Sequence, residues 1–392
     1  MRLAFCIFKY FPFGGLQRDC LDIAKTCQRR GHDVNIFTTD WIGPHPDKLN
    51  LHIVPSRGMT NHGRNLDYVN NVASLLRHNT YDVVIGFNKM PGLDLYFAGD
   101  RCYADQSQAK HKSRWNPYYW CTSRFALYTA LEEAVFSPES QTTILLLTQS
   151  QRDSYMRHYG TPVDRFYELP PGICRDRLPT EEHDRVRSMV RKELLRESEQ
   201  FLLLAVGSDA QRKGLDRTLR AVAALPQSVR LLTRVVAVGE TRRGTFKRLS
   251  KRLSVSDRIT LLSPSSEIPR YFCGADLLVH PAYSEAGGNV LLESMVFGVP
   301  VLATDVCGYA ELVKTAQGGV IVPSPFDQED MNLSLKQLLT TPQLATLAKN
   351  ALSYGRTAPL MDRSRRAAKL IEARGELNRA HVSSSRIFRH SI

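Results

Sequence analysis

The sequence predicts an α/β protein of two Rossmann-like, doubly wound domains, and three observations carry that expectation. The chain has 392 residues, more than one hydrophobic core holds, since cores stop growing at roughly 250 to 300 residues. Short apolar, β-rich runs alternate with helix-length amphipathic stretches in two successive series. Between the series stands Pro170-Pro171-Gly172, which can neither continue a helix nor sit centrally in a sheet.

The first series runs Leu3 to Phe8, then amphipathic Gln17 to Arg30, Val34 to Thr38, Val83 to Phe87 and Thr143 to Leu147. The second runs Phe201 to Val206, Val235 to Val238, Ile259 to Leu262, Leu277 to His280, Val301 to Thr304 and Gly319 to Val322. Each run is short enough for a strand, and the spacers are long enough for crossover helices of parallel βαβ units. The expected organisation is a first domain over 1–170, a second over 171–355 and a C-terminal helix over 356–375 packing back on the first domain. The Ser/Arg/His-rich remainder, 376–392, is expected to be disordered.

Composition excludes several classes. With 43% hydrophobic and 23% charged residues the chain is globular, and no apolar run approaches the roughly 18 to 20 residues of a membrane-spanning helix. Met1 to Phe8 runs directly into Lys9, Pro12 and two glycines, which suits a first buried strand better than a signal segment and points to the cytoplasm. The cysteines at 6, 20, 27, 102, 121, 174, 273 and 307 lack C-x-x-C spacing or paired histidines, so they read as reduced thiols rather than a zinc site. Fifty-two Lys and Arg against 39 Asp and Glu, a formal +13, attract any polyanion: nucleic acid, anionic lipid or phosphorylated carbohydrate.

The strongest local motif is Glu285-Ala286-Gly287-Gly288-Asn289-Val290-Leu291-Leu292-Glu293, after strand-like Leu277 to His280 and a Pro281-Ala282 break. The glycines let backbone approach a ligand as a helix begins, and its free N–H groups suit phosphate or sugar oxygens. Glu285 and Glu293 can accept hydrogen bonds from hydroxyls; two solvated glutamates beside an ordinary loop would share this spacing. A second motif, Val206-Gly207-Ser208-Asp209-Ala210-Gln211-Arg212-Lys213-Gly214, places two cations where a strand opens into a helix. A diphosphate needs that pairing of charged donors with free backbone N–H groups. An Arg-Lys pair at a helix start is usually just exposed, but the helix dipole disfavours cations there, and that unfavourable placement favours a functional role. A third, Pro12-Phe13-Gly14-Gly15-Leu16-Gln17-Arg18-Asp19, lacks G-x-G-x-x-G spacing, which weakens a hydride-transfer reading and leaves a close-approach turn or a plain β-α turn. A fourth stretch, Gly86 to Asp94, leads to Asp100-Arg101-Cys102, where Asp100 is either a functional carboxylate or a helix cap.

The segment Glu285 to Glu293 resembles the E-x7-E motif of family 4 glycosyltransferases, and Gly298-Val299-Pro300-Val301 follows as it does in that family. Further stretches, Lys9 to Asp19, Thr60 to Asn65, Gly86 to Asp94, Asp100 to Ala104 and Leu169 to Ile173, are similar to the heptose-specific lipopolysaccharide core glucosyltransferases within it. The resemblance covers about residues 1–370. It implies a GT-B fold with the two domains facing a central cleft, and retaining transfer from UDP-glucose to the inner-core heptose. By that resemblance Glu285 contacts the donor sugar without acting as a covalent nucleophile, and Glu293 binds the nucleotide ribose. Arg212 and Lys213 neutralise the diphosphate, whose departing oxygen helps remove the acceptor proton. Gly14, Gly15, Asp19, Ile173, Ala286, Gly287, Gly288, Asn289 and Val290 complete the substrate contacts, and Asp100 faces the acceptor. No D-x-D pair occurs, so no metal and no other cofactor is expected.

From Arg101 to Arg124 five cations, Arg101, Lys110, Lys112, Arg114 and Arg124, stand against Asp105 alone, interleaved with Tyr103, Trp115, Tyr118, Tyr119 and Trp120. Aromatics of this kind settle at headgroup level, and each nearby cation adds about 1 kcal/mol of attraction to an anionic leaflet. Single-stranded nucleic acid uses the same mixture, and a solvated insertion would also look like this. The resemblance, to enzymes acting on a lipid-linked acceptor, favours anionic inner-leaflet lipid over nucleic acid and peripheral attachment to the cytoplasmic face of the inner membrane. Two other activities suit the same sequence: a UDP-N-acetylglucosamine 2-epimerase, which shares the two-domain fold, and a non-catalytic protein binding anionic membrane or nucleic acid.

Overall fold

The computed structural model describes residues 1–113, 122–239 and 243–389. The chain divides into two compact units, one of Met1–Pro170 with Asp362–Ile392 and one of Pro171–Met361. In the first unit the strands are β1 (Arg2–Cys6), β2 (Asp33–Thr38), β3 (Asn50–Ile53), β4 (Val83–Gly86), β5 (Leu95–Phe97), β6 (Thr143–Leu146) and β7 (Phe166–Glu168). They pair in the order β3-β2-β1-β4-β5-β6-β7, all parallel. β1 sits in the interior of this sheet, with Leu3 opposite Val34 on one side and Val83 on the other. Its Leu3, Ala4, Phe5 and Cys6 are all buried, which is why a strand covered on both faces reads as an unbroken apolar run.

The second unit repeats the plan with β8 (Phe201–Val206), β9 (Thr233–Val238), β10 (Ile259–Leu262), β11 (Leu277–His280), β12 (Val301–Thr304) and β13 (Gly319–Val322), ordered β10-β9-β8-β11-β12-β13. Leu203, Leu219, Phe246, Leu277 and Leu335 anchor its core, each such burial stabilising by roughly 1.5 to 3 kcal/mol. In both sheets the winding direction reverses between two central strands, β1 and β4 or β8 and β11. Loops at the carboxyl ends diverge there and open a crevice, the place where this architecture binds ligands.

The C-terminal region departs from the sequence expectation in two ways. Residues 356–361 stay with the second unit, and the return to the first begins at Asp362. The helix then runs Arg363–Arg389, continuing where disorder was expected from 376. Gly375 does not end it, because the missing side chain lets the helix approach Met1 Sδ and Val83, which a Cβ would meet at 2.6 and 3.0 Å. Arg30 pairs bidentately with Glu372 at 2.6 and 2.7 Å. Beyond the glycine, Asn378 donates to Asp82 O and Asp94 Oδ1, both at 2.9 Å, and Arg379 pairs with Asp82 at 2.7 and 2.8 Å.

Candidate active site

In the second unit, the loop after β8 carries Arg212 and Lys213 to the carboxyl edge of the sheet, and the helix Leu215–Ala223 starts at Gly214, left-handed with φ 78°. A Cβ at Gly214 would lie 2.0 Å from the Pro281 carbonyl oxygen, so only glycine lets this loop meet the one following β11. Hydrogen bonds stitch the two loops together. The Tyr283 amide donates to Arg212 O at 2.9 Å, Arg212 Nη1 donates to Ser284 O at 2.7 Å, and Arg217 Nη1 donates to Pro281 O and Ala282 O, each at 3.1 Å. The Arg217 guanidinium is stacked between Tyr283 and Phe326, 3.6 Å from each ring centroid.

The stitched loops present Glu285 to both cations. Its Oε2 touches Lys213 Nζ, lies 3.6 Å from Arg212 Nη1 and 3.5 Å from His280 Nε2. Glu285 and Lys213 are nearly buried, at 12% and 17% side-chain exposure, whereas Arg212 keeps 40%. Burial, then the Arg212 charge, pulls the Lys213 ammonium down to about 7. The Glu285 carboxylate in contact with it works the other way, and the paired, charged form is the one this geometry supports. His280 is enclosed; burial, then Lys213 and Arg212, drive it well below its ordinary value. It is neutral at pH 7, and its closeness to Glu285 is not an ion pair.

Gly288 caps the helix Asn289–Val296 with φ 91°, which puts Asn289 and Val290 in its first turn. The Gly287 carbonyl accepts the Tyr309 amide at 2.8 Å, and a Cβ at Gly287 would meet the Tyr309 ring at 3.0 Å. Ala286 is buried, and Glu293 is 4% exposed one turn into the helix. Ile173 is buried, its amide donating to Leu360 O at 3.0 Å.

In the first unit, the helix Gly15–Arg29 begins at Gly14, where a Cβ would fall on the Gln17 side chain; Gly15 faces open space. Asp19 is buried and pairs with Arg363 at 3.1 Å, so it ties the last helix to the first. Asp100 follows β5 and is 48% exposed, with Lys89 Nζ 3.2 Å from its Oδ2 and the Tyr96 hydroxyl on its Oδ1. Tyr103 packs against Phe125 and Tyr128, with centroids 6.1 and 5.4 Å away, which joins the roots of the cationic segment. Lys110 and Lys112 fall on the helix Tyr103–Ser113, but their side chains lie outside the described residues, as do Arg114, Trp115, Tyr118, Tyr119 and Trp120.

Among the described residues one group converges with metal-ligand chemistry, Cys102, Asp105 and His158, its ligand atoms within 4.8 Å of one another. Asp105 is already engaged there, by His158 Nε2 at 2.6 Å and by the Ser154 hydroxyl. Burial, then the Glu132 carboxylate, pushes the Cys102 thiol up to about 12, so it is not a thiolate. Among the described residues no helix is long and apolar enough to cross a membrane.

Residues 13–177 match Glycosyltransferase Family 4, and residues 186–356 match Glycosyl transferases group 1. The chain is 42% identical over 372 residues to the lipopolysaccharide glucosyltransferase WaaG of Escherichia coli (strain K12), covering 95% of this chain and 98% of that protein. This chain belongs to the family 4 glycosyltransferases. Its fold is GT-B: the crystal structure of WaaG, a glycosyltransferase involved in lipopolysaccharide biosynthesis, superposes with a TM-score of 0.89 over 94% of this chain and 99% of the other. Anabaena HepE in complex with UDP-glucose, 17% identical, shares the fold alone, with a TM-score of 0.68 over 98% of this chain and 100% of HepE.

Within this glycosyltransferase the structure gathers Arg212, Lys213, Glu285 and the Gly287-Gly288 turn into one cluster. His280, which closes the cluster from below, went unassigned in the sequence; its signal was a titratable residue ending a central strand beside the switch point. Arg217 gave no such signal, because its role depends on two rings and two carbonyls from distant segments.

Proposed function

We propose that this enzyme transfers glucose, with retention, from UDP-glucose to the inner-core heptose of lipopolysaccharide in α-1,3 linkage. The observation that carries the reading is the 42% identity to the Escherichia coli lipopolysaccharide glucosyltransferase across 95% of the chain. The geometry is consistent with it. Arg212 and Lys213, fixed by the stitched loops, are donors waiting where a diphosphate leaving group gains charge, and preorganised donors need no reorientation during the reaction. Glu285 orients the transferred sugar, Glu293 takes the ribose, and Asp100 receives the acceptor. The two cations do the neutralisation that a divalent metal supplies in other transferases, so activity withstands chelation; loss on chelation with recovery in magnesium would overturn that part.

A lipid-linked heptose acceptor would put the enzyme at the cytoplasmic face of the inner membrane, with the segment around Lys110, Lys112, Arg114, Trp115, Tyr118, Tyr119 and Trp120 against anionic lipid. Neutralising Lys110, Lys112 and Arg114 weakens binding to anionic vesicles in that case, and unchanged binding contradicts it. The test of the activity is a panel of UDP-sugars offered with heptose-terminated, deglucosylated lipopolysaccharide. Glucose transfer dependent on the acceptor is expected. Preferred transfer of galactose, or conversion of UDP-N-acetylglucosamine without an acceptor, would overturn it.

A further inference from the structure

Beneath Asp100 lies a charged group that donor chemistry does not use. Lys89, in the loop after β4, is 8% exposed and reaches Glu132 Oε1 at 2.6 Å and Asp100 Oδ2 at 3.2 Å. It also donates to Arg101 O at 3.0 Å and sits 5.6 Å from the Tyr155 ring centroid. Burial alone would pull this ammonium down, but the Asp100 and Glu132 carboxylates outweigh it and hold the proton more tightly than water does.

One carboxylate is enough to neutralise a buried ammonium, and Glu132, fully buried, is that partner. Glu132 also accepts the Tyr103 and Ala104 amides at 2.8 and 3.0 Å, the first free N–H groups of the helix that leads into the cationic segment. Asp100 is therefore surplus to neutrality. It is half exposed, both of its oxygens are held, and it stands at the carboxyl edge of the sheet. The neighbouring Asn88 accepts the Phe8 amide at 2.7 Å, which fixes the loop after β4 to the loop after β1 at the switch point.

We propose that Lys89 is a positioning residue that aims the Asp100 carboxylate at a sugar hydroxyl of the acceptor and, through Glu132, ties that aim to the root of the cationic helix. The proposal rests on the reading of Asp100 as the acceptor-side carboxylate. It uses the one fixed, outward-facing carboxylate of the group for a ligand rich in hydroxyls, where a hydrogen-bond acceptor is what recognition needs.

The test compares Lys89→Met, the charge-balanced pair Lys89→Met/Glu132→Gln, Asp100→Asn, and the combination of Asp100→Asn with the balanced pair. Transfer to heptose-terminated lipopolysaccharide and UDP binding by calorimetry are read for each. The balanced pair removes both buried charges, so it avoids the uncompensated glutamate that could unfold Lys89→Met. Expected is a rise in acceptor KM or fall in kcat of between about 10- and 10²-fold, UDP affinity unchanged, and no further loss when Asp100→Asn is added. Wild-type acceptor kinetics in the balanced pair while Asp100→Asn is impaired, or losses that multiply in the combination, would overturn the positioning role. Wild-type transfer by Asp100→Asn would overturn the reading of Asp100 itself.

Discussion

The carboxyl edges of the two sheets use the same device with opposite polarity. Each buries one lysine against one glutamate, Lys213 with Glu285 in the second unit and Lys89 with Glu132 in the first. What each leaves half exposed differs: a guanidinium, Arg212 at 40%, in one, and a carboxylate, Asp100 at 48%, in the other. Arg212 does have Asp209 beside it, but at 3.6 Å and with 45% exposure that pair is loose and hydrated. On the proposed reading, the sign of the third group selects the ligand: an anionic diphosphate beside Arg212, neutral hydroxyls beside Asp100.

That comparison can be broken most forcefully at Lys213. Lys213→Ala leaves Glu285 only the looser Arg212 contact at 3.6 Å and, on the proposed reading, removes a cation from the leaving group, so turnover falls by about 10² to 10³-fold, on the scale of losing one preorganised transition-state donor; steady-state transfer within a few-fold of wild type contradicts it. Arg212→Ala, which removes the more exposed partner, costs less than Lys213→Ala in the same assay, and the reverse order would show that the outer cation dominates.

A middle-sized effect is structural. Gly214→Ala puts a Cβ on a left-handed residue and against the Pro281 carbonyl, costing about 2 kcal/mol or more. Chemical denaturation reads this as a lowered midpoint, and an unchanged midpoint would mean the two loops are not stitched as described. The smallest effect belongs to the first unit alone, where the last helix docks. Hydrogen bonding from Arg30, and secondarily from His32, holds the Glu372 carboxyl down to about 2 against its ordinary 4.5. A carboxyl lowered on folding stabilises above its unfolded value and ceases to do so as pH falls through its folded value. Glu372→Gln therefore lowers Tm at pH 7, and the gap to wild type closes between pH 4.5 and about 2. Equal Tm values at pH 7 would contradict the docking.

What was legible in the sequence follows the same physics. β1, β4, β6, β8, β11 and β12 announce themselves because strands covered on both faces demand largely apolar residues, while β2, β9, β10 and β13 remain readable from short β-branched and apolar runs although β10 and β13 lie at the sheet edges and are only partly buried. β3 (Asn50–Ile53) and β7 (Phe166–Glu168) are edge strands that keep exposed residues, and β5 has three residues after a charged Asp94; none shows a run long enough to read. The helix past Gly375 was invisible because its support comes from Asp82, 297 residues away in sequence from Arg379. Within the site, Glu285, Arg212 and Lys213 were readable because glycines flank them at strand-to-helix turns. His280, Lys89 and Glu132 were not assigned roles, since each acquires one only when separate loops meet.

The division of labour between the two edges is tested most directly by titrating UDP into the wild-type enzyme, Lys213→Ala and Asp100→Asn by calorimetry. UDP affinity is expected to fall at least about tenfold, the equivalent of 1.4 kcal/mol, in Lys213→Ala and to stay at the wild-type value in Asp100→Asn, although that variant transfers glucose poorly. Equal weakening in both variants, or none in Lys213→Ala, would contradict the account.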